Sequence, residues 1–261
     1  MFVNGNYSPV NNPSNPIDNA FNVNRQTNFG QATVSKDFGG NITLDAGRGN
    51  DAINVNRGSD GLYHVNVNNQ DFAFTRDEMS RLTIKGGSGN DRINVGPGID
   101  VPVRVDGGSG HDTISNFSNG AQINGGSGND RIFNASNGSN IQGGFGNDQI
   151  SSYGSGNRIG GGFGNDAISS SGHFNDIQGG FGNDRIAAHG WGNNVGGGFG
   201  WDRIGVLGGG NNVSGGFGWD AISAYGPGNQ CFGGPGFDSV RTLGSLAFGL
   251  DPSLLLLGMR Y

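Results

Sequence analysis

The sequence predicts an all-β fold: a right-handed parallel β-roll, a two-sheet solenoid with 18 residues per coil. Three observations carry that prediction. First, Gly107-Gly108-Ser109-Gly110-His111-Asp112-Thr113-Ile114 reads G-G-x-G-x-D-x-I. It returns at Gly125, Gly143, Gly161, Gly179, Gly197, Gly215 and Gly233, each start 18 residues after the last. Second, an apolar residue recurs at every ninth position from Ile114 and Ile123 to Cys231 and Val240. Third, Gly supplies 55 of 261 residues while only 33% of the chain is hydrophobic, which suits a thin repetitive core and not a thick one.

Each nine is read as a tight turn followed by a short strand, and two nines make one coil. The β-branched residues interleave between the two sheets, a pleated and buried setting that suits them. The Gly-rich half turns sharply with positive φ, which Gly tolerates most cheaply. Alternate nines lack the Asp. Ser152–Ile159 reads SYGSGNRI and Ala188–Val195 reads AHGWGNNV, with Asn in place of the acid.

Residues 1–40 are rich in Asn, Ser and Pro, without apolar period, and are expected to be disordered or to act as an export segment. Residues 41–105 are read as an N-terminal β region that holds the first coils. Ile42-Thr43-Leu44 opens it as a strand, and Asp45–Ile53 is an imperfect first copy of the motif. LYHVNV and QDFAF flank an Asn68-Asn69 turn as a hairpin. Thr75-Arg76-Asp77-Glu78 is a capping box that starts a short helix through about Leu82. Gly86–Ile93 is the second motif copy, and a connection containing Pro97 and Pro102 follows. Residues 106–241 are the regular roll. Residues 242–261 turn apolar, with Leu254–Leu257, and are expected to cap the open end of the last coil.

Net charge is −6 and pI about 5.0, which argues against nucleic acid or an anionic membrane as partner. Cys231 is the only cysteine, so no intramolecular disulfide framework exists. No apolar stretch approaches the ~20 residues of a membrane helix. The N-terminus lacks a basic-then-apolar cleavable signal peptide.

Stacking the coils at the ~4.8 Å strand spacing puts Asp112, Asp130, Asp148, Asp166, Asp184, Asp202, Asp220 and Asp238 in one file. Asp91 joins if the Gly86 loop belongs to the stack. Carboxylates so close repel by roughly 1 kcal/mol in water and by more in a shielded groove. Calcium takes oxygen ligands at ~2.4 Å, so an ion fits between successive loops, with backbone carbonyls completing its shell. Magnesium's tighter octahedron fits less well, and zinc would want His or Cys with the period of the array.

The strings GGSGNDRI, GGFGNDQI and GGFGNDRI resemble the RTX (repeat-in-toxin, haemolysin-type) calcium-binding nonapeptide over about residues 86–240. The resemblance implies a secreted bacterial β-roll that is disordered without calcium and folds after export. The metal ligands carried over are the sixth-place acids, Asp91 and Asp112 through Asp238, with the Gly backbone around them. The second side departs from the pattern, because Asn157, Asn175, Asn193, Asn211 and Asn229 stand there. An amide ladder is expected on that side, and one calcium row of seven or eight sites on the other. Residues 41–105 resemble the domain that precedes such repeats in some type III secreted proteins. No H-E-x-x-H is present, so the peptidase activity of some of those proteins is not carried over.

Phe145, Phe163, Phe181, Phe199 and Phe217 share the third loop position, and Trp201, Trp219 and Phe237 the fifth. They are read as self-packing files, with an adhesive face for protein, glycan or ice-like surfaces as the alternative. His64, His111, His173 and His189 share no spacing suited to a site. Arg92, Arg131, Arg185 and Arg203 each follow a motif Asp and should point outward. The minimal uniform loops leave little room for the groove of a polysaccharide-active parallel β-helix enzyme, so no catalytic residue is assigned. The expectation is a non-enzymatic, calcium-binding exported module, by a type I or type III route, with an unidentified host or surface partner.

Overall fold

A computed structural model of the chain describes residues 32–244. The repeat becomes geometry through strict register. Ile123 pairs with Ile141 in one sheet and Ile132 with Ile150 in the other, each pair 18 residues apart. Among the described residues one sheet has 11 strands and the other 12, and successive strands of the array alternate between them. All neighbours within the array are parallel. The result is the all-β parallel solenoid that the period predicts.

The N-terminal coils are built differently. Strand β1 (Thr33–Lys36) pairs antiparallel with β2 (Ile42–Asp45), so regular structure starts earlier than the expected Asn41. Strand β3 (Ala52–Arg57) enters the second sheet. It pairs antiparallel with β4 (Tyr63–Val67), which pairs antiparallel with β5 (Gln70–Phe74). The turn between them is Asn68-Asn69 with φ of 48° and 70°, the left-handed pair that a two-residue hairpin requires. Helix α1 (Arg76–Ser80) carries the capping box of Thr75 and Glu78, but it stops short of Leu82. Leu82 instead begins β6 (Leu82–Ser88), because its side chain is needed in the core below Ile42. Strand β7 (Arg92–Val95) then aligns Ile93 with Ile53.

The interior is a narrow seam of the nine-spaced residues, with Ile114, Ile141, Ile150 and Ile177 fully buried. The N-terminal end is thicker, with Tyr63, Phe74, Met79 and Leu82 inside. Val240, at the far end of the apolar file, is 40% exposed, because the last described coil has no described coil beyond it. Of the expected C-terminal cap, Thr242 and Leu243 belong to the final strand, Ser239–Leu243. Residues 245–261 of that segment, like residues 1–31 of the 1–40 segment expected to be disordered or to act in export, lie outside the described residues.

Candidate metal-binding corner

The Asp loops gather at one corner of the roll. The file contains Asp91, Asp112, Asp130, Asp148, Asp166, Asp184, Asp202, Asp220 and Asp238, as the spacing predicts, and also Asp51. The backbone N–H of each Asp donates to Oδ1 of the Asp in the next coil at 2.8–2.9 Å, from Asp51→Asp91 through Asp220→Asp238. Asp51 heads the file among the described residues. Its Oδ1 accepts instead from Nδ2 of Asn68, the hairpin turn residue.

The other oxygen is the telling one. Oδ2 of all ten of these Asp residues is buried and has no hydrogen-bond donor. A buried acceptor without a partner costs about 1–3 kcal/mol, and more if it is charged. Burial, opposed by the backbone N–H and reinforced by neighbouring carboxylates, pushes Asp91, Asp112, Asp130, Asp148 and Asp202 up to about 6 and Asp184 to about 7. Asp51, Asp166 and Asp220 are raised as well, first by burial.

The glycines explain why this geometry exists. The second and fourth motif residues, such as Gly126 and Gly128 with φ of 112° and 129°, need positive φ. The first, such as Gly125, does not, yet it is Gly in every motif loop from Gly86 to Gly233. The reason is space. A Cβ on Gly125 would lie 2.5 Å from Asp130 Oδ2 and 2.5 Å from the carbonyl oxygen of Gly143 in the next coil. Two acceptors from successive coils therefore face one spot, with no proton donor between them. Among the described residues, no group of three His, Cys, Asp or Glu side chains is placed to hold a metal. Side chains stacked in single file do not form such a group, so further ligands would be carbonyl oxygens or water. A hard cation that prefers oxygen fits this donor set, and zinc does not.

The opposite corner carries a second ladder, and its amides mostly find partners, Asn193 Nδ2 being the exception. Ser139, Asn157, Asn175, Asn193 and Asn211 donate their N–H to Oδ1 of the Asn one coil on, at 2.8–2.9 Å. The expected amide ladder is thus mainly backbone to side chain. The amide Nδ2 donates to carbonyl oxygens of the preceding coil: Asn157 to Ser136, Asn175 to Gly154, Asn211 to Gly190 and Asn229 to Gly208.

A third ladder was not anticipated from the sequence. The fifth loop residues form it on the surface, where Asn147 N–H donates to Asn129, Asn165 to Asn147, Asn183 to Asn165 and Trp201 to Asn183. The repeated Asn of G-x-G-N-D was the available signal. It runs opposite to the Asp ladder, each residue donating to the coil before it.

The aromatic files self-pack. Phe145, Phe163, Phe181, Phe199 and Phe217 stack with centroids 4.8–5.0 Å apart and planes within 3–11°. Trp201 stacks on Trp219 at 5.4 Å, and Trp219 meets Phe237 edge to face. Their edges stay exposed. The motif arginines are exposed, as expected. Nδ1 of His111 and of His173 accepts a backbone N–H from the next coil. His64 sits between Asp71 and Asp60, whose hydrogen bonds raise its pKa, Asp71 first, against burial.

No helix among the described residues is long and apolar enough to cross a membrane. Comparison with protein-family models, with curated proteins and with solved structures found no match.

Proposed function

We propose that the chain is a calcium-binding, non-enzymatic β-roll protein, exported from a bacterial cell, whose roll folds as it takes up the ion. The single observation that carries the reading is the file of buried Oδ2 atoms without donors, of which those of Asp91 through Asp220 each face a carbonyl of the next coil. Asp91 through Asp220, with the first-glycine carbonyls of the loops that follow them, are the residues that would hold the ions. Calcium supplies positive charge and an adaptable oxygen shell at such a spot, and its preferred ~2.4 Å ligand distance suits acceptors presented one coil apart. The RTX resemblance points to the same ion and to export. Binding free energy available only to the folded chain becomes folding free energy.

The test is far-ultraviolet circular dichroism during a calcium titration of the chelator-treated chain. A β spectrum that develops with calcium is expected. An unchanged β spectrum in chelator overturns the metal-driven reading. Export of chains truncated at either end separates the type I from the type III route.

The aromatic edges favour a second role, as an interaction face. Phe145 is 60% exposed and Trp201 63%. Within the stacks the ring faces cover one another, leaving mainly edges, which suits a protein surface better than a sugar ring that needs a free face.

A further inference from the structure

We propose that Ala46 closes the first position of the carboxylate file to the ion, so that the chain binds eight calcium ions and not nine. The inference rests on the calcium reading above. The eight loops that open from Gly86 to Gly215 each bring an Asp Oδ2 and a next-coil glycine carbonyl to the same spot. Among the described residues Asp238 closes the file, and no such carbonyl is seen there: the three atoms nearest to a Cβ on Gly233 all belong to Asp238. That leaves the Asp51 loop as the ninth candidate.

Asp51 has the features of its successors at first sight. It is buried, its Oδ2 has no partner, and its N–H donates to Asp91 in the ladder. Its loop differs at one residue. Asp45 pairs with Lys85, which puts Ala46 in register with Gly86, and the N–H of Ala46 donates to the Lys85 carbonyl at 3.0 Å. The residue is therefore the first-glycine equivalent of its loop, and it is 1% exposed. Its methyl group occupies the direction in which the other loops bring the two oxygens together. An apolar carbon between Asp51 and the Gly86 carbonyl contributes no ligand and holds a cation off.

The chain compensates Asp51 in another way. Asn68 donates Nδ2 to Asp51 Oδ1, and its own Oδ1 accepts the Ala52 N–H at 2.9 Å. Asn68 also donates its N–H to the Ala52 carbonyl at 3.0 Å. The hairpin turn thus supplies Asp51 Oδ1 with the donor that each later Asp receives from the preceding loop. Asp51 is an end-stop of the ladder and not a metal ligand, and Ala46 is the residue that sets the stoichiometry.

The experiment counts ions retained per full-length chain by native mass spectrometry after calcium loading and desalting, cross-checked by elemental analysis. Wild type is expected to hold eight, Ala46→Gly nine, Asp51→Asn eight and Asp91→Asn seven. Equal counts for wild type and Ala46→Gly, or a loss on Asp51→Asn, overturn the inference while leaving the calcium reading intact. No ions retained by either wild type or Ala46→Gly overturns both.

Discussion

The Asp corner and the Asn corner of this roll share one ladder and differ by one atom per coil. In both, a backbone N–H reaches Oδ1 of the residue one coil on. On the Asn side the second atom is a nitrogen, which donates to a carbonyl at Asn157, Asn175, Asn211 and Asn229 and has no partner at Asn193. On the Asp side it is an oxygen that finds no donor. The exchange of a donor for an acceptor turns a corner whose amides mostly find carbonyls into one with a file of unpartnered oxygens, the setting in which we propose that a cation binds. The loops have diverged to match. The residue five before the acid is Gly from Asp91 to Asp238, whereas five before the amide stand Ser152, Ser170 and Ala188.

Moving the acid across should produce the largest effect. Asn157→Asp removes donation to the Ser136 carbonyl and the Ser152 hydroxyl and buries a carboxylate in their place. A loss of about 3 kcal/mol is expected in denaturant unfolding of the calcium-loaded protein. A change near zero would show that the Asn corner accommodates an ion as well.

The reverse exchange sharpens the comparison from the other side. Asp148→Asn, Asp166→Asn and Asp184→Asn together place Nδ2 donors beside the carbonyls of Gly161, Gly179 and Gly197. The triple variant should retain fewer ions and keep its β spectrum at higher chelator concentration than wild type. If it instead needs more calcium to fold, the carboxylates contribute to the fold beyond holding the ion.

Truncation separates the two corners by readout. Asp166→Ala should weaken calcium-dependent folding. Asn175→Ala should leave calcium uptake unchanged and cost about 1–3 kcal/mol, because it strands the buried Asn157 N–H. Equal losses of calcium affinity would erase the distinction.

Protons should compete with the ion on the Asp side alone. In chelator, the folded chain holds Asp112, Asp130 and Asp148 at about 6 and Asp184 at about 7, above the ordinary 3.8. The folded state then binds more protons than the unfolded one. This contribution is greatest below about 3.8 and is lost as pH rises through about 6 to 7. In chelator, β ellipticity should therefore be greater near pH 5, where protons neutralise the file, than near pH 7.5, and calcium should reverse the order. A flat profile in chelator would mean that the carboxylates are hydrated and not buried.

The smallest effect lies within the Asn corner. Phe174 has φ of 56° where the matching residues of neighbouring coils are Gly156 and Gly192, at 68° and 69°. A left-handed non-glycine residue costs roughly 1–2 kcal/mol, so Phe174→Gly should stabilise the roll by about 1 kcal/mol in thermal unfolding, net of the entropy glycine loses. A loss of stability would show that the exposed ring makes a compensating contact.

Much of this was legible in the sequence because the roll is nearly one-dimensional. In the strict array, residues 18 apart in sequence are one coil apart in space. The period alone therefore fixed the alternation of two sheets, the buried Ile file, the membership of Asp112 through Asp238 and the stacking of the Phe residues. The hairpin and the capping box were also readable, because they are local.

Tertiary structure decided what the period does not reach. Asp51 precedes Asp91 by 40 residues, and only the pairing of Ile53 with Ile93 and of Ile42 with Leu82 brings its loop onto the stack. The same pairing set Ala46 where the other loops have glycine, and it gave the hairpin turn its place at the head of the carboxylate file. The directions of the three ladders, and the donor missing at Oδ2, depend on which way each peptide plane and carboxylate turns. A repeat fixes which residues are neighbours. It does not fix their orientation, which follows from packing and hydrogen bonding in the folded coil.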